Sequence, residues 1–260
     1  MDYQPYLDFA TTLAYNAGKI TLRYFNTGIR PELKENNDPV TIADREAESY
    51  IRAEIERTYP SHAIVGEEYG ENGNGHSFRW IIDPIDGTIS FIHGVPLYGV
   101  LIGLEIEGVV RVGAAYFPPL DEMLCASDGA GCWWNGRRAR VSAVSSLSDA
   151  CVVSSDFQNL SAKMPDVVER FQKKRSLMRT WADAYGYLLV ATGRAEVALD
   201  PRLDVYDCGP YPVIFKEAGG FFGSWSGEEG HTHGEGIACN AALKPEVLEL
   251  MRGPLSTKNS

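Results

Sequence analysis

The stretch Trp80-Ile81-Ile82-Asp83-Pro84-Ile85-Asp86-Gly87-Thr88 decides how the rest of the chain can be arranged. Its apolar start predicts a strand that ends at the first aspartate, because the proline that follows lacks a backbone donor and favours an extended residue before it. The turn then brings two carboxylates and the Ile85 carbonyl together, and these are hard oxygen ligands of the kind that Mg²⁺ prefers. Gly87 and Thr88 offer backbone N–H groups and a hydroxyl to an anion. Taken alone, the stretch also fits an acidic turn that caps a helix.

The composition is that of an ordinary globular protein, with 260 residues of which 44% are hydrophobic and 23% charged. The net charge of −11 argues against a nucleic-acid partner, because no basic patch balances it. The five cysteines are scattered and form no CxxC pair, which is typical of reduced thiols. The first residues lack the features of a signal peptide, and no apolar run reaches the ~18 residues of a membrane span. These features predict a cytoplasmic protein with no membrane partner.

The order of predicted elements divides the chain near residue 145. Helical periodicity over 5–26 and 42–59 precedes β-rich runs with a hairpin signal at 105–108, so residues 1–145 are expected to form two helices against a mostly antiparallel sheet. From Cys151 onward strands and helices alternate, including a helix over 206–218, which favours an α/β arrangement for residues 146–260. We expect an α+β half that holds the acidic motifs and an α/β half, joined in one compact catalytic unit.

Acidic residues recur at the edges of predicted elements. Glu67 and Glu68 stand side by side after a short apolar strand, and adjacent like charges cost energy unless solvent or a cation absorbs them. Asp207 opens the predicted helix over 206–218, where a carboxylate is also an ordinary N-cap. The residues that share this placement are Asp44, Glu67, Asp83, Asp86 and Asp207.

Three of these segments together resemble the signature motifs of the inositol monophosphatase family. They are Gly66-Glu67-Glu68, Asp83-Pro84-Ile85-Asp86-Gly87-Thr88, and Asp207 ahead of Glu217-Ala218-Gly219-Gly220. The resemblance runs over nearly the whole chain and follows the family's order of motifs. It implies a layered αβαβα sandwich, a homodimer, and a phosphomonoesterase that acts on a small-molecule phosphate ester with two or three Mg²⁺ ions.

The resemblance also implies a role for each matching residue. Glu68 would orient water or a third, weaker metal, and Lys34 resembles a lysine that precedes the Asp44 helix in the family. The first Mg²⁺ would be held by Glu67, Asp83, Asp86 and the Ile85 carbonyl, and the second by Asp83, Asp86 and Asp207. A metal-activated water would attack the phosphorus, with its proton drawn towards Thr88 and Asp44, while the amides of Gly87 and Thr88 would bind the phosphate.

The second half of the chain departs from the inositol enzymes in ways that resemble the histidinol-phosphatase branch. Asp183 stands where those enzymes carry small neutral residues, and Asp200 replaces a glutamate seven residues before Asp207. Two acidic groups favour a cationic alcohol, so we expect L-histidinol phosphate as the substrate, bound by Asp183 and Asp200. The segments that carry this resemblance are Asp183-Ala184-Tyr185-Gly186-Tyr187 and Leu189-Val190-Ala191-Thr192-Gly193-Arg194. The chain departs from that branch at Ile89, Ala182 and Tyr206, where its members carry a basic residue, glycine and tryptophan.

Other interpretations of the sequence stay open. The ester could be inositol 1-phosphate, a sugar bisphosphate or a 3′-phosphoadenosine nucleotide. Asp183 could be a helix cap without a substrate contact. A homologue that kept the fold as a binding or regulatory protein without turnover is a further alternative, although the intact acidic residues and Thr88 argue against it.

Overall fold

The computed structural model describes residues 1–34, 38–73, 77–181 and 183–252. Two short 3₁₀ helices, Pro118–Leu120 and Leu147–Asp149, lie between the longer elements. The helices are α1 Gln4–Leu22, α2 Ile42–Thr58, α3 Thr88–Ile92, α4 Phe157–Lys163, α5 Val167–Lys173, α6 Ala184–Ala191, α7 Val205–Cys208, α8 Tyr211–Ala218 and α9 Lys244–Met251. The strands are β1 Glu32–Leu33, β2 Pro39–Val40, β3 Ala63–Gly66, β4 Gly70–Asn72, β5 Phe78–Asp86, β6 Gly99–Ile106, β7 Val109–Phe117, β8 Glu122–Ser127, β9 Gly131–Trp134, β10 Arg137–Arg138, β11 Cys151–Val153, β12 Leu177–Arg179, β13 Val197–Asp200, β14 Gly220–Gly223 and β15 Gly236–Asn240.

The opening stretch forms an inner strand of an eight-stranded sheet with the order β10-β9-β8-β7-β6-β5-β3-β4. Only β3 and β5 pair in parallel among these strands, so the sheet is mostly antiparallel, as predicted. The strand does not end at Asp83, as the sequence suggested, but continues to Asp86 with a register irregularity between the two aspartates. Pro84 lies within that irregularity, where its missing N–H removes no regular ladder hydrogen bond.

Both faces of this sheet are buried, which explains the continuous apolar runs of its inner strands. Along β6, Val100, Ile102 and Leu104 pack in one core with α1 and α2, whereas Leu101 packs in a second core with α6 and α8. Successive side chains of a strand point to opposite faces, so α1 and α2 cover one face of the sheet while α6 and α8 cover the other. Helix α1 ends at Leu22, four residues earlier than the periodicity predicts.

A second sheet completes the layers, with five strands in the order β12-β11-β13-β15-β14. Its inner face shares the core of α6 and α8, because Val153, Ala198 and Phe222 belong to that cluster. Its outer face packs against α4, α5 and α9 through residues such as Leu160, Phe171 and Val247. The layers therefore run helix, sheet, helix, sheet, helix, and the predicted αβαβα sandwich is confirmed. Within the described residues, we find no helix that combines the length and the apolar character needed to cross a bilayer.

The prediction of one helix over 206–218 is wrong, because Gly209 and Pro210 separate α7 from α8. Pro210 lacks the N–H that a continuous helix would donate. The break rests directly on the eight-stranded sheet. A Cβ atom on Gly103 would lie 2.2 Å from the Gly209 carbonyl oxygen, and one on Gly113 would lie 2.5 Å from that of Pro210. Glycines in β6 and β7 thus let the chain approach the sheet closely just after Asp207.

Candidate active site

Three aspartates lie close together where β5 ends and α7 begins. Asp83 and Asp86 come from the irregular end of β5, and Asp207 lies in the first turn of α7. One carboxylate oxygen from each lies within 4.8 Å of the other two. The structure therefore brings together three of the residues that the sequence predicted to hold metal.

Each of these carboxylates is oriented by a backbone amide that donates to one of its oxygens. The Ile85 N–H donates to Asp83 Oδ1 at 2.9 Å, and the Asp204 N–H donates to Asp207 Oδ2 at 2.7 Å. The Ala184 N–H, at the start of α6, donates to Asp86 Oδ1 at 2.9 Å. Asp204 is the N-cap of α7, and Asp207 in the first turn forms a capping box with it. The expectation that Asp207 opens the helix is therefore wrong. These contacts fix one oxygen of each aspartate and so orient the three carboxylates towards one another.

The electrostatics of the cluster favour a bound cation. Burial raises the pKa of Asp83 well above its ordinary value, and the charges of Glu67, Asp86 and Asp207 raise it further. Burial also raises the pKa of Asp86, and the charge of Asp207 raises it further. Burial raises the pKa of Asp207 to about 8, against opposition from its Asp204 hydrogen bond. Buried carboxylates that repel one another in this way are a donor set that fits a hard divalent cation such as Mg²⁺.

Glu67 lines the same cavity but has a protein partner of its own. Lys34 Nζ donates to Glu67 Oε1 and to Glu68 Oε1, both at 2.7 Å. Burial works to lower the pKa of Lys34, but the hydrogen bonds and charges of the two glutamates outweigh it, so the pKa is raised. Glu67 also lies within hydrogen-bond reach of Asp83, and a metal that uses Glu67 as a ligand must share it with Lys34 or displace that ammonium group.

Thr88 and Asp44 meet beside the aspartates. The Thr88 hydroxyl lies 3.1 Å from the Ile85 carbonyl oxygen and 3.5 Å from Asp44 Oδ1. The other oxygen, Asp44 Oδ2, accepts from the Thr41 N–H at 2.8 Å and from the Thr41 hydroxyl at 2.5 Å. Asp44 thus both caps α2 and faces Thr88. Burial raises its pKa to about 6, although the Thr41 hydrogen bonds oppose this shift.

Asp183 faces the cavity and does not cap its helix. It precedes α6, yet its side chain makes no capping hydrogen bond. Instead its Oδ2 accepts from the Ser90 hydroxyl at 3.0 Å and would lie 3.1 Å from a Cβ atom on Gly87, which has a φ of +88°. The backbone of Asp183 has φ 55° and ψ −157°, a conformation that non-glycine residues rarely adopt. Strain of this kind is concentrated at functional sites, and the interpretation of Asp183 as a simple helix cap is wrong.

Asp200 lies deeper and already accepts two hydrogen bonds. The Ser155 hydroxyl donates to Oδ1 at 2.8 Å and the Tyr187 hydroxyl donates to Oδ2 at 2.5 Å. Burial raises the pKa of Asp200 to about 6 against these two hydrogen bonds. Ser90, Ser155 and Tyr187 were not singled out from the sequence. Ser155 follows β11, which pairs in parallel with the Asp200 strand, so the carboxyl ends of two neighbouring strands meet here.

Two connected cavities surround these groups. An inner cavity of about 180 Å³ reaches all the predicted metal and substrate residues, and an outer one of about 470 Å³ continues from it. They share Glu67, Ser155, Asp183, Arg202 and Asp207. The inner lining includes Glu67, Asp83, Ile85, Asp86, Gly87, Thr88, Asp183, Asp200 and Asp207. Asp44 contacts this lining through the Thr88 hydroxyl, and Glu68 shares the Lys34 ammonium group with Glu67. Ala182 lies outside the described residues.

Comparisons with known proteins agree with this geometry. The model of the inositol monophosphatase family matches residues 2–253. The chain belongs to this family. A histidinol-phosphatase of Chlorobaculum parvum is 43% identical over 94% of this chain and 95% of its own length. An inositol-1-monophosphatase of Mesorhizobium japonicum is 30% identical over 97% of this chain and 98% of its own length. The solved structure of an IMPase from Thermotoga maritima has a TM-score of 0.87 and 31% identity, with 95% of this chain and 97% of that chain covered.

Family membership gives the reaction its class. The chain is a phosphoric monoester hydrolase of the inositol monophosphatase family, and its substrates are small phosphate esters. The family is metal-dependent, and the aspartate cluster of this chain offers a matching donor set. The named relatives act on different esters, so the choice of ester has to be argued from the residues of this chain.

Proposed function

We propose that this chain hydrolyses L-histidinol phosphate to L-histidinol and phosphate, and that it requires Mg²⁺. The observation that carries this proposal is the position of Asp183. Its carboxylate contacts Ser90 and Gly87 and borders both cavities, and its backbone has a strained conformation that a helix cap would not require. The similarity to a histidinol-phosphatase at 43% identity supports the same ester.

The charge of the outer cavity supports a cationic leaving group. Among the described residues that line it, Arg202 is the one basic side chain, and it is engaged by Asp38 at 3.0 Å and Asp204 at 3.5 Å. The acidic side chains in that lining are Asp38, Glu67, Asp156, Asp183, Asp204 and Asp207. Bound Mg²⁺ would offset Glu67 and Asp207, but Asp183 and Asp156 are not among the assigned metal ligands. A neutral polyol would leave these charges unpaired, whereas the ammonium group of histidinol would pair with them.

The residues of the inner cavity can be assigned roles in this reaction. Asp83, Asp86, Asp207, Glu67 and the Ile85 carbonyl would hold Mg²⁺, two ions or three with Glu68. Ions held there would lower the pKa of water and stabilise charge on the departing alkoxide. The Gly87 and Thr88 amides would orient the phosphate.

Thr88 and Asp44 would manage the proton of the attacking water. The Thr88 hydroxyl is 3.5 Å from Asp44 Oδ1, within reach of a proton relay once substrate tightens the site. A raised pKa, about 6, lets Asp44 accept a proton near neutral pH. The Thr41 hydrogen bonds keep the Asp44 carboxylate in place during that transfer.

The division into two halves at residue 145, the cytoplasmic location and the homodimer stay predictions.

Replacement of Asp183 tests the proposal directly. Asp183→Asn keeps an acceptor for the Ser90 hydroxyl but removes the charge, so kcat/KM for histidinol phosphate should fall by roughly 10- to 100-fold, the value of one charge-assisted hydrogen bond. The same variant should hydrolyse inositol 1-phosphate within about threefold of the wild-type rate. Asp166→Asn, a change at an exposed carboxylate before α5, is the matched control. Equal losses on both esters would refute the role given to Asp183.

An alternative in another class is a binding or regulatory homologue without turnover. This alternative would be favoured if the protein, in the presence of Mg²⁺, released phosphate from none of four candidate esters. The candidates are histidinol phosphate, inositol 1-phosphate, a sugar bisphosphate and a 3′-phosphoadenosine nucleotide.

A further inference from the structure

We infer that the outer cavity contains a second recognition site, in which Asp156 binds a protonatable heteroaromatic ring at the far end of the substrate. This inference rests on the proposed function, since histidinol phosphate carries such a ring. It assigns a specificity role to Asp156, Ile89 and Val95, none of which has been given a metal or phosphate role above.

The covalent structure of the substrate separates its two cationic groups. The ammonium group lies on the carbon next to the ester CH₂, whereas the imidazole ring is attached through a further CH₂ group. Asp183 borders both cavities and contacts Ser90 and Gly87 of the phosphate turn, so it is placed for the nearer ammonium group. The ring must then extend into the outer cavity, whose volume of about 470 Å³ accommodates it.

The lining of the outer cavity combines features that suit an imidazole. Ile89 is 64% exposed and Val95 is 39% exposed, although both are apolar and line the cavity. Exposed apolar side chains inside a cavity gain free energy when a flat ring covers them. Asp156, Asn159 and Thr180 supply polar atoms to the same lining. The cavity therefore offers apolar contact for the ring faces and acceptors for the ring N–H groups.

Asp156 is fixed in place by its own helix. It is the N-cap of α4, with Oδ1 accepting from the Asn159 N–H at 2.8 Å and Oδ2 accepting from the Asn159 side-chain amide at 2.5 Å. Each carboxylate oxygen can accept a second hydrogen bond. The charge of Asp156 also contributes to the raised pKa of Asp183, after burial, so the two carboxylates lie close enough to act on one small ligand.

Asp156→Asn separates charge from structure, because asparagine is an equally good N-cap. We expect kcat/KM for histidinol phosphate to fall by about tenfold or more, mainly through KM, at pH 6.5 where the imidazole is partly protonated. On 2-aminopropyl phosphate, which keeps the ammonium group and lacks the ring, the same variant should stay within about twofold of wild type. Ile89→Ser should show the same selectivity with a smaller loss, and Asp166→Asn should change neither substrate.

The outcomes separate this inference from the proposed function. Equal losses on both substrates with Asp156→Asn would show that Asp156 acts on the ammonium group or on the fold, and would overturn the ring site. No loss on either substrate would overturn it as well. A wild-type enzyme without preference for histidinol phosphate over inositol 1-phosphate would overturn both proposals, whereas a preference without ring selectivity would overturn this one alone. A thermal melt of each variant shows that the fold is intact.

Discussion

The aspartate cluster should make the metal-free protein less stable than a variant that lacks one charge. Burial raises the pKa of Asp207 to about 8 from an ordinary value of 3.8. A carboxyl group with a raised folded-state pKa supports folding below its unfolded pKa, and this contribution is lost as pH rises through the folded pKa. Between pH 3.8 and pH 7 the loss amounts to roughly 4 kcal/mol, at about 1.4 kcal/mol per pH unit.

Asp207→Asn removes this penalty and keeps the acceptor for the Asp204 N–H, which donates at 2.7 Å. Relaxation and water entry reduce the gain, so we expect about half of it, ~2 kcal/mol, or an increase in Tm of about 4–8 °C for a chain of this size in EDTA at pH 8. At pH 4.5, near the unfolded pKa, the difference in Tm should shrink to a small fraction of this. Added Mg²⁺ should raise the Tm of wild type and leave that of the variant nearly unchanged.

Differential scanning calorimetry at the two pH values, with and without Mg²⁺, makes the measurement. Asp166→Asn is the control, because its carboxylate is exposed and far from the cluster along the chain. A variant that melts at or below the wild-type temperature in EDTA at pH 8 would refute the electrostatic reasoning. A variant that Mg²⁺ stabilises as strongly as wild type would refute the assignment of Asp207 as a ligand.

Three further predictions concern contacts that hold the fold together. Gly113→Ala should lower Tm and kcat together, because the new Cβ atom would lie 2.5 Å from the Pro210 carbonyl oxygen and push α7 away. Thermal melts and activity assays of the same variant measure both effects. Glu217→Ala should lower the free energy of unfolding by roughly 1–3 kcal/mol in urea titrations, because the Gly129 and Gly131 N–H groups lose their acceptor. Glu105→Gln should destabilise the protein at pH 7 but much less at pH 4. His231 and Arg79 hold the pKa of Glu105 below its usual range, and the stability that this contributes is lost as pH falls. Equal destabilisation at both pH values would contradict this prediction.

The antiparallel character of the first sheet and the place of Asp83 near a strand end follow from local patterns, whereas the layered sandwich and the full set of candidate metal ligands were expected from the family resemblance. The apolar run before Asp83 requires a strand buried on both faces, and the aspartates at its end follow from the chain itself. A motif identifies Asp207, but it does not give the distance between Asp207 and Asp83. That distance depends on Gly103 and Gly113, which lie more than ninety residues before Asp207.

Contacts between distant segments could not be predicted in this way. The Ser90 hydroxyl meets Asp183 across ninety-three residues, and Tyr187 reaches Asp200 only because α6 packs between the sheets. The short strand Gly220–Gly223 was missed because its glycines carry no β-propensity signal, and its pairing with β15 supplies the stabilisation. The backbone of Asp183, with φ 55° and ψ −157°, likewise has no local signature, because non-glycine residues rarely adopt this conformation.

The preference of the enzyme for one ester over another can be measured in a single comparison of rates. Initial rates of phosphate release by the wild-type protein, with Mg²⁺ at pH 7.5, would be measured on L-histidinol phosphate and on inositol 1-phosphate. The acidic lining of the outer cavity predicts that kcat/KM for histidinol phosphate exceeds that for inositol 1-phosphate by about 100-fold or more. Equal values, or a preference for the inositol ester, would contradict the account.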